Sequence, residues 1–201
     1  VMVGPRMIGE GVREMFTRGE GFATFLSVAQ DSTGNAKEIA KALAMAMGSK
    51  KGAIEVSFED ETYLDLMSEQ GTWPLIMKVM YEVYRFLVDQ GHPEEAVLME
   101  LYLSKEAMFM MEKMADDGVF KQLPYHSNTS QYGQLSGFDK VDSTYIRKFV
   151  EDTYNRIKGD AFDQEWQDIQ KNGNVRLAEL KDAAYKSDLT LSEERVKARL
   201  S

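Results

Sequence analysis

The sequence predicts a small α/β segment followed by a larger all-helical body, and three observations carry that reading. Between Val1 and Phe58, short β-branched and apolar runs alternate with helical segments at the spacing of a strand–helix–strand crossover unit of a parallel sheet. After Phe58 the pattern changes to long stretches with helical period. The composition, 43% hydrophobic and 28% charged, is that of a chain that folds.

The elements follow in order. VMVG (1–4) opens with no polar lead-in and reads as strand, as if the chain began inside one. Gly9, Gly11, Gly19 and Gly21 bracket a short amphipathic helix with Val12, Met15 and Phe16 on one face. FATFLSVAQ (22–30) suits a buried parallel strand. Asp31, Ser32, Thr33, Gly34 and Asn35 form a turn and helix start, and an Ala- and Lys-rich helix over 36–47 stops at Gly48. AIEVSF (53–58) is the last strand. Helices are then predicted over 61–70, 75–90, 93–116, 143–158 and 160–172, with a charged tail from Val175 whose end, 189–201, should fray. Pro124, Gly133, Gly137 and several Ser, Thr and Asn predict an ordered loop over 121–140.

Composition also excludes functions. The 201 residues are long for one domain and short for two, at roughly 150 per domain. Without cysteine there are no disulfides, thiolate metal sites or Cys nucleophiles, and His92 and His126 alone rule out a multi-histidine cage. A net charge of -9 without a basic cluster argues against nucleic acid as a partner. No run reaches the ~20 apolar residues of a membrane span. Arg6, Glu10 and Arg13 interrupt any signal-like segment, so the expected location is cytoplasmic.

Three segments could carry chemistry. In FEDETYLDLMSEQ (58–70), Asp65 and Glu69 stand four apart, so on a helix their carboxylates leave one face toward a single ion. Oxygen ligands without His or Cys suit Mg²⁺ or Mn²⁺. An acid pair at this spacing is more often a solvated helix start. Against that, Leu64, Leu66 and Met67 surround the pair, and the helix follows a strand end, where open α/β sheets place ligands. The second segment, 93–116, holds Glu94, Glu95, Glu100, Glu106 and Glu112 beside Met99, Met108, Met110, Met111 and Met114, which read as core packing. The third, YHSNTSQYG (125–133), is rich in hydroxyls and amides. Arg6, just after the opening strand, is either an anion contact or a surface arginine. No GxGxxG follows a strand.

On these residues the sequence resembles the ketol-acid reductoisomerase (acetohydroxy acid isomeroreductase) family, as a divergent C-terminal portion. MVGPRMIGEGVREMF (2–16) is similar to the family's strand and Pro-Lys-Gly-Pro-Gly loop near the nicotinamide. QDSTGNAKEIAKALAMAMG (30–48) resembles its Asp-x-Thr-Gly-Asn helix start, and FEDETYLDLMSEQ its metal-binding segment. SNTSQYG (127–133) resembles Ser-Asp-Thr-Ala-Glu-Tyr-Gly, and IKGDAFDQEW (157–166) its late helix pair. The resemblance implies the last strands and helices of an NADP-binding Rossmann-like domain over 1–58, then a knotted all-helical domain over 59–201. It implies two Mg²⁺ ions, an alkyl shift in a 2-acetohydroxy acid, reduction by NADPH held mainly outside these residues, and a homodimer or larger assembly. Asp65 and Glu69 take the acidic ligand positions, Ser127 the substrate-contacting serine, and Arg6 the loop lysine.

The departures define the alternatives. Met7, Ile8 and Gly9 replace the loop's Gly-Pro-Gly, the Gly-Gly after the first metal helix is lost around Thr72, Trp73 and Pro74, and Gln131 replaces a glutamate. Where the family carries two glutamates four apart on a second helix, counting back from Ser127 gives Tyr102 and Glu106, whereas reading from Glu100 gives Ser104 second. Either register keeps one carboxylate. On an undistorted helix Glu100 and Glu106 lie about 240° apart and cannot face one ion. A paralogue kept as a binding or oligomerisation module, or a reductase of 3-hydroxy-2-keto acids only, are the competing readings.

Overall fold

Period-two alternation makes Phe22, Thr24 and Leu26 the inward residues of one strand, and the sheet is built on it. The computed structural model describes residues 1–200. Strand β2 (Phe22–Ser27) is central, with β1 (Met2–Pro5) and β3 (Ser49–Glu55) on its two sides. It runs parallel to β3, and α2 (Ala36–Met47) connects them as the predicted crossover. β1, however, lies antiparallel to β2, with Met2 opposite Ser27 and Pro5 opposite Thr24. The intervening α1 (Gly9–Arg18) is short, and a turn through Gly19 (φ 72°) and Gly21 (φ 74°) returns the chain to the sheet at once. A Cβ on Gly21 would lie 2.5 Å from Lys50 Cβ, so only glycine closes this turn. Ala40 and Ala44 of α2 pack on Leu26. The last strand begins four residues before its sequence signal, because Ser49 pairs with Phe22 of β2 and an irregularity follows before Ala53 resumes the ladder opposite Thr24.

Helix α3 (Phe58–Met67) is capped by Ser57, whose Oγ accepts the Asp60 N–H at 2.8 Å. A π-helical turn, Ser68–Thr72, follows and leads into α4 (Trp73–Asp89). The chain divides inside that turn into two compact units, Val1–Glu69 and the residues from Gln70 onward.

The second unit is all helix. The single helix predicted over 93–116 is instead three pieces: α5 (Glu94–Leu98), a second π turn (Met99–Leu103) and α6 (Glu106–Asp117). Lys105, with φ 68°, breaks the run in the left-handed region, where a non-glycine residue is strained. The expected loop over 121–140 is a short 3₁₀ turn (Leu123–Tyr125) and a helix, α7 (Asn128–Lys140), N-capped by Ser127. Phe138 of α7 meets Phe120 edge to face at 5.3 Å, which offsets the low helix propensity of Gly133 and Gly137. Then come α8 (Thr144–Lys158), α9 (Ala161–Lys171) and α10 (Val175–Tyr185).

The charged tail does not fray over its described residues. It forms α11 (Asp188–Leu200), which seats Val196 in a core with Tyr84, Val97 and Leu98. Arg195 grips Glu94 through Nε (3.0 Å) and Nη2 (2.7 Å), Ser192 Oγ donates to Glu94 at 2.5 Å, and Arg199 pairs with Glu95 at 2.6 Å. The Arg195 guanidinium, followed by Ser192, holds the Glu94 carboxyl down to about 2 from an ordinary 4.5.

A carboxyl depressed in the fold contributes stability that is complete above its unfolded value and is lost as pH falls through the folded one. Urea unfolding of the protein should therefore weaken between pH 4.5 and about 2, and Glu94→Gln should flatten that slope while lowering stability at pH 7. Leu98 has no exposed surface, and Leu98→Ala should cost about 3 kcal/mol in the same measurement.

Candidate functional site

Acids at the first turn of a helix complement its positive end, and Glu59, Asp60 and Glu61 occupy that turn of α3. Asp65 lies beyond it, so its charge needs another partner. Arg6, just past β1, supplies one. Its Nη1 donates to Asp65 Oδ1 at 3.2 Å and its Nη2 to Glu61 Oε1 at 2.7 Å.

Two further contacts fix the guanidinium. Nε donates to the Gly4 carbonyl at 3.3 Å, and the planar group lies over the Phe25 ring of β2, 4.5 Å from its centroid. Gly4 makes the room, because a Cβ there would come within 3.1 Å of Nη2 and 3.2 Å of Glu61 Oε1. The two arms differ in burial. Arg6 and Glu61 are 25% and 18% exposed, whereas the Asp65 side chain is 50% exposed.

Sequence reasoning singled out Asp65 and Glu69 and passed over Glu61. The signal was present: Glu61, Asp65 and Glu69 repeat at four-residue spacing. The structure joins Asp65 to Glu61 through Arg6 and leaves Glu69 exposed in the first π turn. Single π turns inside α-helices concentrate at functional sites. Among the described residues there are two, and they hold Glu69 and Glu100.

In the second unit, Glu100 is exposed within its π turn and Glu106 is exposed as the first residue of α6. The π turn and left-handed Lys105 stand between them, so the undistorted-helix premise behind the 240° separation does not hold here. Tyr102, the alternative to a carboxylate in that register, is spent on structure. Its hydroxyl donates to Glu193 of α11, and burial, then that carboxylate, pushes its pKa well up.

Ser127 is exposed at the head of α7, where its Oγ accepts the Ser130 N–H at 3.3 Å and its own proton is not used in the cap. The turn before it is tied from both sides. Gln131 Nε2 donates to the His126 carbonyl at 2.8 Å, and Gln122 Oε1 lies 3.0 Å from His126 Nε2.

The hard carboxylate oxygens of Asp65 and Glu69 are of the type that suits Mg²⁺, which takes one or two carboxylates and keeps waters, and a guanidinium now sits against Asp65. Among the described residues no group of three or more His, Asp or Glu side chains is gathered to hold one.

Comparison with known proteins decides the family. Residues 58–201 match the model of the ketol-acid reductoisomerase C-terminal domain, and residues 1–53 match that of the acetohydroxy acid isomeroreductase NADPH-binding domain. The chain belongs to the ketol-acid reductoisomerase family. Its similarity to the Saccharolobus solfataricus protein named "Putative ketol-acid reductoisomerase 3" is 36% identity over 96% of this chain and 59% of that one. The ketol-acid reductoisomerase (NADP(+)) of Pyrococcus abyssi is 34% identical over 83% of this chain and 50% of its own length. A solved NADH-preferring ketol-acid reductoisomerase from an uncultured archean superposes with a TM-score of 0.88, at 25% identity, over 98% of this chain and 60% of that structure. The chain thus spans between half and three-fifths of these ketol-acid reductoisomerases. The match over 1–53 places a portion of the NADPH-binding domain within these residues.

Replacing the cap by Ser127→Ala should lower stability by about 1 kcal/mol, read from thermal or urea unfolding.

Proposed function

We propose that the intact protein performs ketol-acid reductoisomerase chemistry: an alkyl shift in a 2-acetohydroxy acid, then hydride transfer from a nicotinamide cofactor to the rearranged keto acid. What carries the proposal is that one chain matches both the cofactor-binding and the C-terminal domain of the family and brings Glu61 and Asp65 together on Arg6. In this reading residues 1–58 end the NADP-binding domain and 59–201 form the helical domain, threaded as a knot.

We assign Asp65 and Glu69 as Mg²⁺ ligands, with Glu106 or Glu100 supplying the acid of the second helix. A bound Mg²⁺ supplies Lewis-acid polarisation of the substrate carbonyl and a fixed geometry for the migrating group. The Ser127 hydroxyl donates to a substrate oxygen from the positive end of α7. Arg6 holds Asp65 and Glu61 at a set spacing and adds positive charge where negative charge develops. NADPH is the cofactor named by the matched domain, while the solved relative is titled NADH-preferring. Among the described residues no helix is long and apolar enough to cross a membrane, and we place the protein in the cytoplasm.

The second helical segment supports a homodimer or larger assembly. Trp73, Met77, Val79 and Phe86 of α4 and Met108 and Phe109 of α6 are exposed apolar groups. One observation favours a reduced activity instead: Tyr102, bound to Glu193, offers no carboxylate at its register position. A reductase acting only on 3-hydroxy-2-keto acids, or a paralogue kept as a binding module, would follow from losing the second ion.

The test is Mg²⁺-dependent oxidation of NADPH by the intact protein with 2-acetolactate, and with the already rearranged 3-hydroxy-2-keto acid. Turnover of both, lowered at least a hundredfold by Asp65→Asn (the order of an electrostatic contact removed), is the expected result. Turnover of the second alone singles out the reductase, and turnover of neither leaves the module.

A further inference from the structure

We propose that Arg6 is a resident counter-ion on Asp65 that a divalent cation must displace, so that this guanidinium sets the cation affinity of the site. The proposal deepens the reading of Asp65 as a ligand and rests on it.

The geometry separates a fixed part of Arg6 from an exchangeable one. Nε is tied to the Gly4 carbonyl, Nη2 to Glu61 at 2.7 Å, and the plane of the group to the Phe25 ring. Only Nη1 reaches Asp65, at 3.2 Å and on a side chain that is half exposed. An ion pair of that exposure contributes little net stability, whereas a divalent ion on a carboxylate carries twice the charge of a guanidinium. Cation binding therefore breaks the Asp65 arm and leaves the Glu61 arm in place.

A guanidinium suits this role better than an ammonium. Its planar fork spans two carboxylates at once and stacks on a ring, and it stays charged at any working pH. A lysine ammonium at position 6 is a point charge whose three donors could reach both carboxylates, but it has neither the fixed fork nor a flat face for the Phe25 ring. The arrangement keeps the Asp65 charge compensated before the ion arrives, and the displaced arm of Arg6 remains as a positive group beside the ion.

The experiment is titration of the intact protein with Mn²⁺ alone, followed by calorimetry and by the loss of the free-ion electron paramagnetic resonance signal. It compares the wild type, Arg6→Lys, Arg6→Gln and Asp65→Asn. Removing the competing charge should tighten Mn²⁺ binding about tenfold in Arg6→Gln. Arg6→Lys, which keeps the charge and loses the fork, should tighten it roughly threefold. Asp65→Asn should abolish this binding event.

Equal affinity in the wild type and both Arg6 variants, with loss in Asp65→Asn, would overturn the counter-ion role and leave Asp65 a ligand. Weaker binding in both Arg6 variants would overturn it too, since Arg6 would then be positioning Asp65. Mn²⁺ binding absent from every variant, or unchanged in Asp65→Asn, overturns the metal reading itself. Arg6→Lys keeps the comparison informative if Arg6→Gln folds poorly.

Discussion

A carboxylate two turns into a helix has no help from the helix dipole, and in this chain Asp65, half in water, meets its counter-charge at the end of the first strand. The Arg6 guanidinium lies between Glu61 and Asp65 and over Phe25, and thereby ties β1, β2 and α3 of the first unit to one point. With β2 central and β1 antiparallel to it, Arg6 follows Pro5 at the N-terminal end of β2, beside Ala23, whereas β3 leaves the sheet at the other end, beside Leu26, and Glu61 and Asp65 of α3 meet the Arg6 side chain. The position of Asp65 depends on this convergence, whereas Glu69, in the π turn, takes no part in it.

The second unit depends on a different device. Its core is small, and a surface helix at the end of the chain completes it by inserting Val196 beside Tyr84, Val97 and Leu98. The polar rim of that contact is unusually specific: Tyr84 and Ser192 share a buried hydrogen bond of 2.6 Å, Ser192 bonds to Glu94, and Arg195 closes the group. Because α11 also takes the Tyr102 hydroxyl on Glu193, it fixes the π turn that carries Glu100. Packing at the tail and geometry at the candidate second acid are thus coupled.

Much of this was legible in residues alone where local rules agree with one another. The Ala-rich run ending at Gly48 gives α2 with its observed bounds, since Gly48 sits at φ 104° as a left-handed cap. The helical pattern over 61–70 placed Asp65 on a helix, whereas Glu69 lies in the π turn that follows it and Ser127, read in a loop, is the N-cap of α7. Other features are tertiary and have no local signal. Gly133 and Gly137 speak for a loop until the Ser127 cap and the Phe120–Phe138 contact outweigh their propensity. The spacing of Leu189, Ser192 and Val196 marks a helix face only once a surface exists to receive it. The two π turns and left-handed Lys105 follow no periodicity at all, and they are what undid the angular argument over Glu100 and Glu106.

Asp65, our proposed ligand for a divalent cation, is held by Arg6 in the structure. Anomalous diffraction from crystals of the intact protein soaked in Mn²⁺ tests that role most directly. A manganese peak on the Asp65 carboxylate is expected, with Nη1 of Arg6 withdrawn and Nη2 still on Glu61. A peak away from Asp65, or none with the Arg6–Asp65 contact intact, would contradict it.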